Sequence, residues 1–181
     1  MTITKTELPG CFIIEPKVFF VERGYFMESF NKEKFDAAVG YGIQFVQDNQ
    51  SFSTKGVVRA LHQQIGEHAQ AKLVRVLQGR VLDVAVDLRK ESPTFGKHVA
   101  VELSYENRKQ LFIPRGFAHG FVALTETVEF FYKCDNYYHK DSERGIIYND
   151  PTLAINWKLP TEELIISEKD ATLPTFKEAI L

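Results

Sequence analysis

Two stretches of the chain, about fifty residues apart, carry the side chains best suited to chemistry. The first is Val57-Val58-Arg59-Ala60-Leu61-His62-Gln63-Gln64, followed by Lys72-Leu73-Val74-Arg75-Val76. The second is Phe112-Ile113-Pro114-Arg115-Gly116-Phe117-Ala118-His119-Gly120-Phe121, followed by Phe130-Phe131-Tyr132-Lys133. Each sets a histidine among strand-forming residues and follows it with a proton-active side chain, Lys72 or Tyr132. An imidazole takes up a proton near neutral pH. An ammonium can face a developing oxyanion, and a buried phenol needs a hydrogen-bond partner that a substrate can supply. Base, ammonium, phenol and a second imidazole on a β scaffold predict proton transfer on a small molecule. Strict alternation sets Arg59 and His62 on opposite strand faces, so both reach one ligand only where the strand bends or ends.

The elements that must position these residues are short. Apolar, β-type runs recur at 11–14, 56–61, 72–77, 80–88, 98–103, 110–113, 117–124 and 128–133, set off by turn residues. That spacing predicts an all-β sandwich or barrel rather than alternating β and α units. In 81–88 the even positions are all apolar, while the odd face carries Asp83 and Asp87 beside Val81 and Ala85. One face belongs to a core, and the other looks toward a polar cavity or solvent. Asn31 as an N-cap and Gly40 as a stop predict one helix over 31–39. The chain reads as one domain over 1–181, with a β core at about 10–135 and a less regular segment at 150–181 whose single helical turns fall at 161–164 and 167–171.

The 181 residues suffice for a buried core. The 22 basic and 24 acidic residues leave a net charge of −2, which carries no electrostatic footprint for nucleic acid or an anionic membrane. No apolar run has the length of a membrane span or a signal peptide, and Cys11 and Cys134 lack metal-site spacing. The expectation is a cytoplasmic protein with two reduced thiols.

Pro114-x-Gly116-x-x-His119 matches the spacing of the second metal-binding motif of cupins. The first cupin motif normally supplies two imidazoles and a glutamate, whereas His62-Gln63-Gln64 has one imidazole, with Glu67 and His68 further on. A cupin shape without a metal is therefore the expectation, and a metal-dependent cupin enzyme the competing one.

Beyond these motifs, the chain resembles the dTDP-4-dehydrorhamnose 3,5-epimerase family nearly end to end. The resemblance runs through Phe19-Phe20-Val21-Glu22-Arg23-Gly24-Tyr25-Phe26-Met27-Glu28-Ser29-Phe30, Phe45-Val46-Gln47-Asp48-Asn49-Gln50-Ser51 and Arg59-Ala60-Leu61-His62. It continues through Lys72-Leu73-Val74-Arg75-Val76, Asp83-Val84-Ala85-Val86-Asp87-Leu88-Arg89 and Ile113-Pro114-Arg115-Gly116-Phe117-Ala118-His119-Gly120-Phe121. Glu143-Arg144-Gly145-Ile146, Asn149-Asp150-Pro151 and Ser167-Glu168-Lys169-Asp170 complete it.

The resemblance implies a cupin-type jelly-roll β-sandwich with short peripheral helices and no cofactor. It also implies a homodimer in which Arg23 and Glu28 reach into the neighbouring subunit's site. The implied substrate is a thymidine-diphosphate 4-keto-6-deoxy sugar, inverted at C3 and C5 through enolates. His62 is then the base, Asp170 its orienting carboxylate, Lys72 the partner of the enolate oxygen, and Tyr132 the acid on the opposite face. Arg23 and Arg59 suit diphosphate oxygens. Phe19, Gln47, Asn49, His119, Glu143 and Lys169 join them in substrate binding, with Glu28 toward the thymine imide and Tyr138 stacked on the base. The chain departs from the family at Ala60 (commonly Gly), Gln63 (commonly Tyr) and Arg115. A single-site epimerase on a related sugar is the alternative within the family, and a non-catalytic nucleotide-sugar-binding jelly roll the alternative outside it.

Overall fold

The computed structural model describes residues 1–179. Two sheets face each other. One has the order β1 (Thr2–Lys5), β2 (Phe12–Glu15), β10 (Gln110–Ile113), β7 (Lys72–Gln78), β12 (Thr127–Cys134), β5 (Gln47–Thr54). The other runs β13 (Glu143–Gly145), β6 (Val57–Gln64), β11 (Phe117–Ala123), β8 (Arg80–Asp87), β9 (His98–Ser104), with β14 (Ile165–Ile166) parallel to β6. A separate hairpin joins β3 (Val18–Val21) to β4 (Gly24–Met27). The helices are α1 (Lys32–Val39), α2 (Glu168–Ala171) and α3 (Phe176–Ala179), and none of the described helices is long and apolar enough to cross a membrane. Asn31 caps α1 by accepting from the Lys34 N–H, and Gly40 closes it in the left-handed conformation, as its sequence signals predict.

The strand period decides which side chains meet. Odd positions of β8 and β11 point into the sandwich, where Val81, Ala85, Phe117 and Phe121 pack against Val74, Val76 and Phe130 of the facing sheet. Even positions point outward, but the outer face is not exposed. Residues Ile146, Leu153, Trp157 and Phe176 of the C-terminal segment cover Leu82, Val84, Ala118 and Val122. Asp83 and Asp87 therefore look into the sandwich, and all of β8 beyond Arg80 is buried. The tail shows no periodicity because single anchors seat it: the Trp157 indole donates to the Tyr148 carbonyl, and Asp150 accepts from the Phe176 amide.

Several strands fall outside the apolar runs of the sequence. The eight residues of β5 are largely polar, because its inward side chains Asn49 and Ser51 line a cavity instead of packing in a core. The bend required of β6 is a bulge. His119 pairs with His62 and Phe121 with Arg59, so three steps of β6 match two of β11. Arg59 and His62 thereby share one face. The Ala60–Leu61 peptide within the bulge is cis, and Ala60 is not among the positive-φ residues. Gly120 sits opposite, where a Cβ would lie 2.4 Å from the Ala60 Cβ and 2.8 Å from the Arg59 carbonyl oxygen. Gly120→Ala should therefore lower stability by roughly 1–3 kcal/mol through overpacking. A urea midpoint equal to that of the parent protein would contradict this close approach.

Candidate active site

A cavity of about 630 Å³ opens between the sheets, lined by residues of β5, β6, β7, β11, β12 and the β14–α2 strap. On the β6 wall, His62 Nε2 lies 2.7 Å from Asp170 Oδ1. Asp170 is buried, and its other oxygen accepts from the Ala60 amide at 3.3 Å. The α2 turn that carries it is capped by Ser167, whose hydroxyl accepts from the Asp170 N–H. An ionised carboxylate only accepts, so Nε2 carries the proton and Nδ1 keeps a lone pair. That nitrogen has no hydrogen-bond partner among the described residues, and His62 as a whole faces the cavity.

Lys72 and Tyr132 stand on the opposite wall, from neighbouring strands of the other sheet. The Lys72 ammonium is 5.8 Å from the centre of the Tyr132 ring, and neither polar tip has a hydrogen-bond partner among the described residues. Burial pushes the Lys72 ammonium below its ordinary value, against the opposing pull of Cys134, Asp83 and Glu143. Burial also pushes the Tyr132 phenol up to about 12, with Cys134 and Glu143 adding to the shift and Arg59 opposing it. Tyr132 thus keeps its proton at neutral pH. An imidazole with a free lone pair and a protonated phenol face each other across the cavity, the arrangement that general acid–base chemistry requires.

A second histidine pair lies deeper. His119 Nε2 is 2.8 Å from Asp83 Oδ1, and both residues are buried. At the mouth, Arg59 donates to the Ser53 hydroxyl and the Phe52 carbonyl at 3.1 Å, which fixes its guanidinium while the rest of the fork stays open to the cavity. A chain of hydrogen bonds links five further residues named from the sequence. Lys169 donates to Glu143, the Tyr138 hydroxyl donates to Glu143, the Tyr138 amide donates to Gln47, and Gln47 donates to Asn49. Burial works against ionisation of Glu143, but Lys169 and Tyr138 outweigh it and hold the carboxyl below its usual range.

Of the residues singled out in the sequence, His62, Lys72, Tyr132, Asp170, Asn49, Arg59, His119 and Lys169 line the cavity. Gln47, Tyr138 and Glu143 stand behind them in the hydrogen-bond chain. Phe19, Arg23 and Glu28 do not line it. They belong to the β3–β4 hairpin and the residue after it, where Glu28 engages Lys34 and Asn31. The three family departures also lie off the lining: Ala60 is buried within β6, Gln63 pairs with Arg144, and Arg115 donates to Asp135. Sequence reasoning missed the partners Asp83 and Ser53. Asp83 left a signal, a carboxylate on an otherwise apolar strand face, whereas Ser53 left none. Among the described residues, no three His, Cys, Asp or Glu side chains converge as a metal site would require.

A base and an acid on facing walls of a cupin-like β-sandwich define a class of site that can invert a carbon beside a carbonyl. The family model for dTDP-4-dehydrorhamnose 3,5-epimerase matches residues 5–178. The dTDP-4-dehydrorhamnose 3,5-epimerase of Shigella flexneri is 54% identical over 179 residues, covering 99% of this chain and 98% of the relative. The crystal structure of the enzyme of that name from Elizabethkingia anophelis superimposes with a TM-score of 0.97 at 56% identity, over 100% of this chain and 99% of that one. A Legionella pneumophila epimerase, solved in complex with dTDP-4-keto-L-rhamnose, gives a TM-score of 0.93 at 49% identity, over 97% and 93% of the two chains. The chain belongs to the dTDP-4-dehydrorhamnose 3,5-epimerase family.

The phenol can be tested on its own. In a difference titration of tyrosinate absorbance against Tyr132→Phe, the Tyr132 midpoint should fall at about 12. A midpoint at the ordinary 10.0 would contradict a buried, proton-retaining acid.

Proposed function

We propose that this chain inverts C3 and C5 of dTDP-4-dehydro-6-deoxy-D-glucose to give dTDP-4-dehydro-L-rhamnose, a step in making an activated rhamnose. The observation that carries the reading is the placement of His62 and Tyr132 on facing sheets of one cavity. Inversion needs a proton removed from one face of a carbon and returned to the other. Both carbons flank the C4 ketone, so removing either proton moves charge onto the ketone oxygen. Nδ1 of His62 takes the proton, with Asp170 holding the ring and stabilising the imidazolium. Lys72 offers its ammonium to the enolate oxygen in a water-poor site, where such an interaction is strong. Tyr132 gives its proton from the far wall. Arg59, with Lys169 beside the mouth, suits the diphosphate, and Tyr138 the base. The Legionella relative's bound keto sugar is the same chemical class.

We further infer a cytoplasmic homodimer. The β3–β4 hairpin exposes Phe20 at 73% and Phe26 at 67%, an apolar surface that a second copy would cover. Arg23 and Glu28, on and beside that hairpin, are then available to the partner's cavity rather than to their own. Cys11 and Cys134 are buried free thiols, as suits a reducing compartment.

Incubation with the keto sugar in deuterated water tests the chemistry. Deuterium should enter at C3 and C5. Label at one carbon only would make this a single-site epimerase, and no label would overturn the reading. His62→Ala should abolish exchange, while Tyr132→Phe should keep some exchange but lose inversion. Wild-type exchange in the His62 variant would remove His62 as the base.

A further inference from the structure

We propose that Asp83 is a positioning residue for this reaction, holding His119 through Nε2 and supplying the buried negative charge that keeps Lys72 an ammonium. The proposal rests on the epimerase reading and deepens it. Asp83 and Asp87 sit four residues apart on the inner face of β8, and neither is exposed. Asp87 is fully engaged: Arg89 donates to both its oxygens, and Ser92 and Thr94 add their hydroxyls. It is a structural carboxylate. Asp83 has His119 on one oxygen, and its Oδ2 is buried with no hydrogen-bond partner. Burying a half-satisfied carboxylate is costly. Val81 and Ala85, on either side of it on the same face, show what a purely packing role would select.

The surroundings of Lys72 say what the charge is for. The titratable and charged groups around that ammonium are Tyr132 and Cys134 on β12, Asp83 on β8, and His119 on β11. The others are Arg59 and His62 on β6, Glu143 on β13, and Lys169 and Asp170 on α2. Among the acidic groups, Glu143 is committed to Lys169 and Tyr138, and Asp170 to His62. The Cys134 thiol is pushed up to about 11 and stays neutral. Asp83 is the carboxylate with an uncommitted oxygen. Burial raises Asp83 and lowers Lys72, and the attraction between the two opposes both shifts. That attraction favours the charged form of each. An ammonium stabilises an enolate oxygen, and a neutral amine does not. The same carboxylate sets the His119 tautomer, leaving Nδ1 for a substrate hydroxyl.

Asp83→Asn keeps an acceptor for the His119 N–H and removes the charge. Loss of that charge lowers the Lys72 value further, so the ammonium is lost at lower pH. The variant's kcat should fall roughly tenfold or more at neutral pH, with its alkaline limb moved to lower pH and KM little changed. A wild-type kcat and alkaline limb would overturn the proposal, and so would lowered stability with an unshifted pH profile. A second arm needs no variant. Long-range nitrogen–proton NMR correlations of the parent protein should show His119 protonated at Nε2, and an Nδ1–H tautomer would overturn the positioning role even if Asp83→Asn fails to fold. Absence of deuterium exchange in the parent protein would count against the epimerase reading instead, and the tautomer would still decide the Asp83–His119 contact.

Discussion

The hydrogen bond from His62 to Asp170 joins residues 108 positions apart, and much of the fold is arranged around it. His62 lies on a central strand of one sheet. Asp170 arrives from a tail with almost no regular structure, and it is steered by β14 running parallel to β6 and by the Ser167 cap of α2. Gly56 permits that approach, since a Cβ there would fall 2.1 Å from the Glu163 carbonyl oxygen. Trp157, Leu153 and Ile146 seal the tail on the outer face of the same sheet. The segment that looks peripheral in the chain therefore supplies the partner of His62.

The second constraint is the sandwich itself. Two sheets packed on a core of Phe, Val and Leu leave a cavity of about 630 Å³ between them, and the side chains that face each other there come from different sheets. In the proposed reaction, that geometry lets one wall take a proton and the other return it. It also explains why Lys72 and Tyr132 tolerate partial burial with unpaired polar tips. In the proposed reaction each would meet a charged intermediate, and such contacts are strong where substrate excludes water. Asp87, with every lone pair engaged, shows how the same fold treats a carboxylate that serves structure alone.

Much of this was legible in the sequence, for reasons that can be traced residue by residue. Strands β7, β8, β10, β11 and β12 announce themselves because at least one face packs in a core. Strand β5 does not, because its inner face serves the cavity and its residues are largely polar. The common face of Arg59 and His62 contradicts simple alternation and depends on a bulge, which is a pairing property invisible in one strand alone. Asp170 had no local signal at all and came only from the family resemblance, as did Tyr138, Glu143 and Lys169. Phe19, Arg23 and Glu28 lie apart from the cavity of their own chain, so a site argued from one chain cannot assemble them.

The central claim is that a carboxylate on the tail makes His62 a competent base. Steady-state kinetics of Asp170→Asn test it most directly, because the amide preserves shape while removing the charge and the tautomer preference. The account predicts a loss in kcat on the order of a thousandfold or more with KM nearly unchanged. A variant within tenfold of the parent kcat, folded and with the same KM, would show that His62 acts without Asp170 and would contradict the account.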